Sequence, residues 1–308
     1  MNVFIFSHIA DCDGITPIIL SKLVFNNVDY KLLDNPCDEE FLKTLDEYDF
    51  SKYDYIFMTD ICVSEETLLK LNNEFLNKFK VFDHHISRIH LNKYDYINIV
   101  DIENGKKQSG TSLYYDYLCK TFENEMLNKK SLKELVNLVR LSDTSSWEKE
   151  NVEPNSVLTD YLAIFGIDEY INYFYNFIIN NEQFFIEEKL NFLMEAEFKR
   201  KQNYVDEKDK GLIKAYIKPY KVGIVFAENY RSFLGNTLAK RHMDLDFIII
   251  INISRSLSYR SIKNVDVSKF ASIYGGNGHF NAAGGPLPNN IKEVIIKQIF
   301  EGVDIIEN

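Results

Sequence analysis

The 308-residue chain has no surplus of positive charge: 35 Lys and Arg stand against 46 Asp and Glu, for a net charge of -11. Without an overall basic field it is not built to hold long DNA or RNA through many phosphate contacts, so a polyanionic substrate has to be short and handled locally. Cysteine is scarce. The four present, Cys12, Cys37, Cys62 and Cys119, form no C-x-x-C pair and all lie in the first half of the chain, which points to a reduced, cytoplasmic protein. No apolar run approaches the ~18 residues that a membrane span needs. The opening MNVFIFSHIADCDG has no basic leader and is interrupted by His8 and Asp11, so a protein without membrane attachment is expected. Internal repeats and low-complexity tracts are absent as well.

What the chain does have is enough apolar residues, 45% against 26% charged, to bury two ordinary cores. Short apolar runs at VFIF (from Val3), YIFM (from Tyr55) and FKVF (from Phe79) alternate with segments of helical period at Asp38 to Tyr48 and Ser64 to Phe75. That alternation predicts βα units and a mostly parallel sheet whose strands end at one edge. Two helices are expected from Ser109 to Ser142, and more from Asn155 to Asp209, where FFIEEKLNFLMEAEFKRKQ has helical spacing without Gly or Pro. After Gly211 the pattern restarts with strands at LIKAYI, KVGIVF, DFIIIINIS and LSYRS, and with helices at RSFLGNTLAKRH and VDVSKFASIY. The expected organisation is a parallel-sheet α/β domain over 1–180, a helical linker over 181–210 and a smaller α/β domain over 211–308. The long helix offers a surface for a homodimer, but no sequence signal demands one.

Each amino-terminal apolar run is followed at once by metal-type ligands: His8, Asp11 and Asp13 after the first, Asp60 after the second, Asp83, His84 and His85 after the third. Groups at the carboxyl ends of neighbouring parallel strands converge on one crevice, and Asp143 in LSDTSSW can reach it from a helix end. Carboxylates crowded in this way repel one another unless cations neutralise them. Asp and His without Cys suit Mn²⁺, Mg²⁺ or Co²⁺, and the imidazoles tilt the choice toward two Mn²⁺ ions. Ordinary readings stand beside this one: Asp11 and Asp13 with Gly14 also read as a turn and helix N-cap, Asp60 as a strand-end turn, and Ser142 to Ser146 as a helix stop.

A second constellation is GGNGHFNAAGG, from Gly275 to Gly285, with His279 inside it. Its glycines permit the close backbone approach and positive φ of an anion-binding loop, although no Lys-Ser/Thr follows as in a P-loop. Upstream, alternation puts Ser258 and Arg260 on one face of a strand, where Arg260 can grip phosphate or stack on a base.

In order and spacing, SHIADCDG, Thr59-Asp60, Asp83-His84-His85, the LSD at Asp143 and GGNGHFNAAGG resemble DHH phosphoesterases with a DHHA1 domain over nearly the whole chain. Within them the chain is similar to bacterial nanoRNases, or oligoribonucleases, some described with cyclic-nucleotide phosphodiesterase activity. The resemblance implies that His8, Asp11 and Asp60 hold one Mn²⁺ while Asp13, Asp60, His84 and Asp143 hold the other, with Asp60 bridging. It also implies that His85 faces the substrate phosphate, that Asp83 supports the histidines, and that Gly275, Gly276, Asn277, Gly278 and His279 present the nucleotide, with Ser258 and Arg260 nearby. Asn277 stands where the family has the third glycine of GGGH. Ser109-Gly110-Thr111 resembles a short family segment ahead of a helix and is left outside the site. The implied function is two-metal hydrolysis of short oligoribonucleotides and related small nucleotides to mononucleotides. Cyclic-dinucleotide hydrolysis, a phosphoanhydride phosphatase and a nucleotide-binding regulator are the alternatives.

Overall fold

The computed structural model describes residues 1–147, 149–152 and 156–300. The chain divides into two compact units, Met1–Met194 and Glu195–Asn308. In the first, strand β1 (Asn2–His8) leads to helix α1 (Cys12–Val24), β2 (Asn27–Leu33), α2 (Asp38–Glu47) and β3 (Tyr55–Thr59). Two one-turn helices, α3 (Glu65–Leu68) and α4 (Asn73–Leu76), precede β4 (Phe79–Asp83) and β5 (Ile97–Ile99). A small hairpin of β6 (Ile102–Glu103) and β7 (Lys106–Lys107) then opens onto α5 (Gly110–Thr121), α6 (Lys130–Thr144), α7 (Val157–Phe165) and α8 (Ile167–Asn180).

β1 to β5 form one parallel sheet in the order β2-β1-β3-β4-β5. Parallel strands covered on both faces must be apolar on both, and Val3, Phe4, Ile5 and Phe6 are all fully buried. Val3 and Ile5 join Phe57, Phe82 and helices α1, α5, α6 and α8 in one core. Phe4 and Phe6 join Ile56, Met58, Phe79, Val81 and α2 in the other. The strand order reverses between β1 and β3, the switch point beyond whose carboxyl ends open α/β sheets form their crevice. In register, Ser7 pairs with Thr59 and Thr59 with Phe82. His8, Asp60 and Asp83 therefore follow as one row along that edge.

Helix α9 (Glu188–Lys210) runs from the first unit into the second. The second unit holds β8 (Ile213–Ile217), β9 (Tyr220–Phe226), α10 (Arg231–Arg241), β10 (Phe247–Asn252), β11 (Ser256–Arg260), α11 (Val267–Ile273), β12 (Asn277–His279), β13 (Ala282–Gly285) and α12 (Ile291–Ile299). Its six-stranded sheet runs β12-β13-β11-β10-β9-β8, with only β9 and β10 parallel.

Four expectations need correction or placement. The segment Ser64 to Phe75 is not one helix, because the Asn72 side chain accepts the Phe75 N–H at 2.9 Å and starts a second short one. Strands β2 and β5 were not expected; β2 is a partly exposed edge strand and β5 has three residues, so neither shows a strong apolar run. The glycine-rich segment is a β-hairpin, with Asn277, Gly278 and His279 paired to Gly284, Ala283 and Ala282, and not a free loop. Asn155 lies outside the described residues, and α7 starts at Val157.

Candidate metal centre and acid-free cleft

At the carboxyl edge of the first sheet, Asp60 follows β3 in the left-handed region (φ 57°), with its N–H given to the Phe82 carbonyl at 2.9 Å. Asp is among the few non-glycine residues that accept this conformation, and here it turns a fully buried carboxylate between two histidines. His8 Nδ1 lies 3.3 Å from Asp60 Oδ2, and His84 Nε2 lies 3.3 Å from Asp60 Oδ1. On the His8 side Asp11 Oδ2 is 3.9 Å away. On the His84 side Asp143 Oδ2 is at 3.3 Å and Asp13 Oδ2 at 3.9 Å. All six proposed metal ligands are thus brought together among the described residues: His8, Asp11 and Asp60 form one group and Asp13, His84 and Asp143 another, and Asp60 and His84 also share a third with Asp83 and His85.

The ordinary roles and the ligand positions turn out to be compatible. Asp11 is the N-cap of α1, but only Oδ1 caps, accepting the N–H groups of Asp13 and Gly14 at 3.0 and 3.2 Å; Oδ2 is left to the cluster. Asp143 sits in the last turn of α6, which Ser145 ends in the left-handed region (φ 51°).

The electrostatics demand a counter-charge. Burial, and then the charges of Asp13, Asp11 and Asp143, push the Asp60 carboxyl well above the ordinary carboxylate range. Burial with Asp13 and Asp11 pushes Asp143 up to about 8. Among the described residues, Asp60 Oδ1 and His84 Nε2 are buried without a hydrogen-bond partner, and orphaned buried polar atoms call for one. Carboxylate oxygens and imidazole nitrogens, with no thiolate among them, fit divalent cations such as Mn²⁺ or Mg²⁺.

Asp83 stands apart in role. Its Oδ1 accepts the backbone N–H groups of His84 and His85 at 2.8 and 3.3 Å and bonds His85 Nδ1 at 2.7 Å. Burial would raise the Asp83 carboxyl, but the His85 hydrogen bond and both imidazole charges outweigh it and hold it low. For His85, burial pulls down while the Asp83 bond and charge prevail, up to about 9. Its side chain is 37% exposed, so the ring reaches the surface of the crevice.

Sequence reasoning left out the groups that hold Asp13. The Gly110 and Thr111 N–H groups donate to its two carboxylate oxygens at 2.7 and 2.9 Å, and Thr111 Oγ1 donates to its carbonyl at 2.7 Å. The amino end of α5, capped by Ser109 and Ser112, therefore carries the carboxylate. Gly110 also packs on Asp60: a Cβ there would lie 2.7 Å from the Asp60 Cα. The Ser109-Gly110-Thr111 motif was the available signal.

In the second unit, Ser258, Arg260, Gly275, Gly276, Asn277, Gly278 and His279 all line one cleft of about 600 Å³, together with Arg231 and Ser232, which sequence reasoning missed. No carboxylate lines it among the described residues, in a chain of net charge -11. The Arg260 guanidinium donates to Ser232 Oγ at 2.9 Å and to the Tyr259 carbonyl at 2.9 Å. Burial and then the Arg231 charge press its pKa down. Gly275 and Gly278 take positive φ (74° and 145°), whereas Asn277 does not, so the asparagine is an ordinary strand residue there.

No protein-family model matches the chain. A DHH-domain structure described as a member of a family of ribosomal proteins shares the fold, with a TM-score of 0.56 over 97% of this chain and 87% of that one at 11% identity. The pGpG-specific phosphodiesterase PggH from Vibrio cholerae is similar over 97% of each chain, with a TM-score of 0.49 and 13% identity. The oligoribonuclease NrnB of Bacillus subtilis is 31% identical over 308 aligned residues, 96% of this chain and 75% of that protein. The chain belongs to the oligoribonuclease NrnB family. The α/β fold of the chain is the one that the DHH-domain structure shares. Among the described residues of this family member, no helix is long and apolar enough to cross a membrane.

Proposed function

We propose that the chain is a metal-dependent phosphodiesterase that hydrolyses short oligoribonucleotides and related small nucleotides to mononucleotides. The observation that carries the reading is Asp60, fully buried between His8 and His84, with its Oδ1 and the facing His84 Nε2 lacking a hydrogen bond among the described residues. His8, Asp11 and Asp60 would hold one divalent cation, and Asp13, Asp60, His84 and Asp143 the other, with Mn²⁺ the favoured metal in a cytoplasmic setting. Such ions acidify a water and neutralise phosphoryl oxygens.

The rest of the work falls to the chain. The N–H groups of Gly110 and Thr111 orient Asp13. Asp83 engages His85 Nδ1 and leaves Nε2 free to donate a proton to a phosphoryl oxygen or the leaving alkoxide. Arg260, Ser258 and the Gly275–His279 hairpin would anchor the nucleotide in the acid-free cleft. The relative NrnB, an oligoribonuclease, supports the choice of RNA.

The test is incubation with Mn²⁺ and 5′-labelled RNAs of two to seven nucleotides, a matching DNA, pApA, cyclic di-AMP, 3′,5′-cAMP and pyrophosphate, with Asp60→Asn as control. Mononucleotides from the short RNAs, lost in the variant and in EDTA, are expected. Hydrolysis of pyrophosphate alone, or of nothing, overturns the reading.

A further inference from the structure

The end of strand β2 brings to the cluster a carboxylate that the sequence reading did not single out. β2 runs parallel to β1 with Leu33 beside His8, and the Ile9 N–H donates to the Leu33 carbonyl at 2.9 Å. The ladder therefore continues through the end of β1, and Asp34, the next residue after Leu33, comes level with the His8 side chain. Asp34 Oδ1 lies 3.9 Å from His8 Nε2. The same oxygen accepts the Asn35 N–H at 2.8 Å, a local bond that fixes which way the carboxylate points.

His8 thus has carboxylates facing both ring nitrogens. Nδ1 points inward, 3.3 Å from Asp60 Oδ2 and 3.9 Å from Asp11 Oδ2, and is the nitrogen turned to the proposed cation. An imidazole ligates through one unprotonated nitrogen and keeps its proton on the other, whose hydrogen bond fixes the tautomer and the ring's orientation. With Nδ1 committed to the cation, the proton sits on Nε2, and Asp34 is the acceptor that faces it. The two side chains differ in standing, His8 being 13% exposed and Asp34 79%. Asp34 lies outside the groups of candidate ligands, so it stands behind the ligand and not within the set. Its solvent-facing side chain can close the remaining gap by rotation without disturbing the core.

We propose that Asp34 is a positioning residue: its carboxylate accepts the Nε2–H of His8 and so holds the ring with Nδ1 turned to Asp60 and Asp11. The proposal rests on the metal-dependent reading above, and it gives the edge strand β2 a part in the site.

The experiment compares wild type with Asp34→Ala, Asp34→Glu and Glu47→Gln, the last removing one exposed charge at the far end of α2. Titration calorimetry on protein stripped with EDTA counts the Mn²⁺ ions and measures their affinities. Proton–nitrogen NMR of the Zn²⁺-loaded protein, labelled with ¹⁵N at histidine, follows the His8 Nε2–H, assigned by its absence in His8→Gln. Asp34→Ala should weaken one of the two Mn²⁺ ions by about 10–100-fold, the range for loss of a supporting partner, and leave the other within about twofold. Its His8 Nε2–H resonance should move upfield, because the proton has lost a charged acceptor. Asp34→Glu restores both readouts, Glu47→Gln changes neither, and Asp34→Ala keeps a Tm in EDTA at or above that of wild type. Unchanged affinity or an unmoved resonance in Asp34→Ala overturns the role of Asp34. So does an equal loss at both ions, a lower Tm in EDTA, or failure of Asp34→Glu to restore the affinity. If wild type binds no Mn²⁺, the metal-dependent reading falls and Asp34 with it; if wild type and Asp34→Ala bind two ions equally well, only the role of Asp34 falls.

Discussion

Replacing Asp143 by Asn should stabilise the metal-free protein while weakening its hold on metal. In the folded chain the Asp143 carboxyl is pushed up to about 8, from an ordinary 3.8, by burial and then by Asp13 and Asp11. A carboxyl raised in the folded state destabilises it progressively as pH rises above the unfolded value, and the effect is complete above the folded one. At pH 7 roughly three pH units of that penalty have accumulated, a ceiling of about 4 kcal/mol. Asp143 shares its repulsion with Asp13 and Asp11, so about half, ~2 kcal/mol, is the expected gain from the neutral isostere. For a unit of 194 residues that is a rise in Tm of about 4–8 °C. The assay is thermal unfolding by circular dichroism in EDTA at pH 4, 5.5 and 7, repeated with saturating Mn²⁺. The gain should be near zero at pH 4, grow with pH, and reverse in Mn²⁺, where the wild type keeps a ligand that the variant has lost. A Tm at pH 7 in EDTA equal to or below wild type would refute the account of the cluster as an uncompensated acidic site.

Three further outcomes are expected. Gly110→Ala drives a methyl group to 2.7 Å from Asp60, so titration calorimetry should show Mn²⁺ affinity falling by about 10–100-fold, as for loss of a supporting partner. His85→Ala should keep wild-type Mn²⁺ affinity and lower kcat by about 10²–10⁴-fold, the range for a lost proton donor; equal loss of metal would show His85 to be a ligand instead. Arg260→Ala and Arg231→Ala should each raise KM about tenfold or more with little change in kcat, since each removes a charged contact, and a loss confined to kcat would place these arginines elsewhere.

Much of the site was legible because its signals are local. An apolar run followed at once by His or Asp marks a strand end with its ligand, and β1, β3 and β4 end at His8, Thr59 and Asp83 as those runs predicted. Ser258 and Arg260 shared a face by alternation alone and do line one cleft. Less legible were elements with weak or interrupted periodicity: the polar edge strand β2, the three-residue β5, and the glycine segment whose pairing as a hairpin depends on β11 beside it.

By itself the sequence determined the ligand types, their position at strand ends, the βα alternation and the lack of basic charge, because each of these follows from composition or from a spacing of a few residues. Only the tertiary structure decided that Asp60 faces both histidines, that the N–H groups of Gly110 and Thr111 hold Asp13 across 97 and 98 residues of chain, and that Arg231 shares a cleft with Arg260. Those contacts join residues distant in sequence through strand register and helix packing, so no local pattern encodes them.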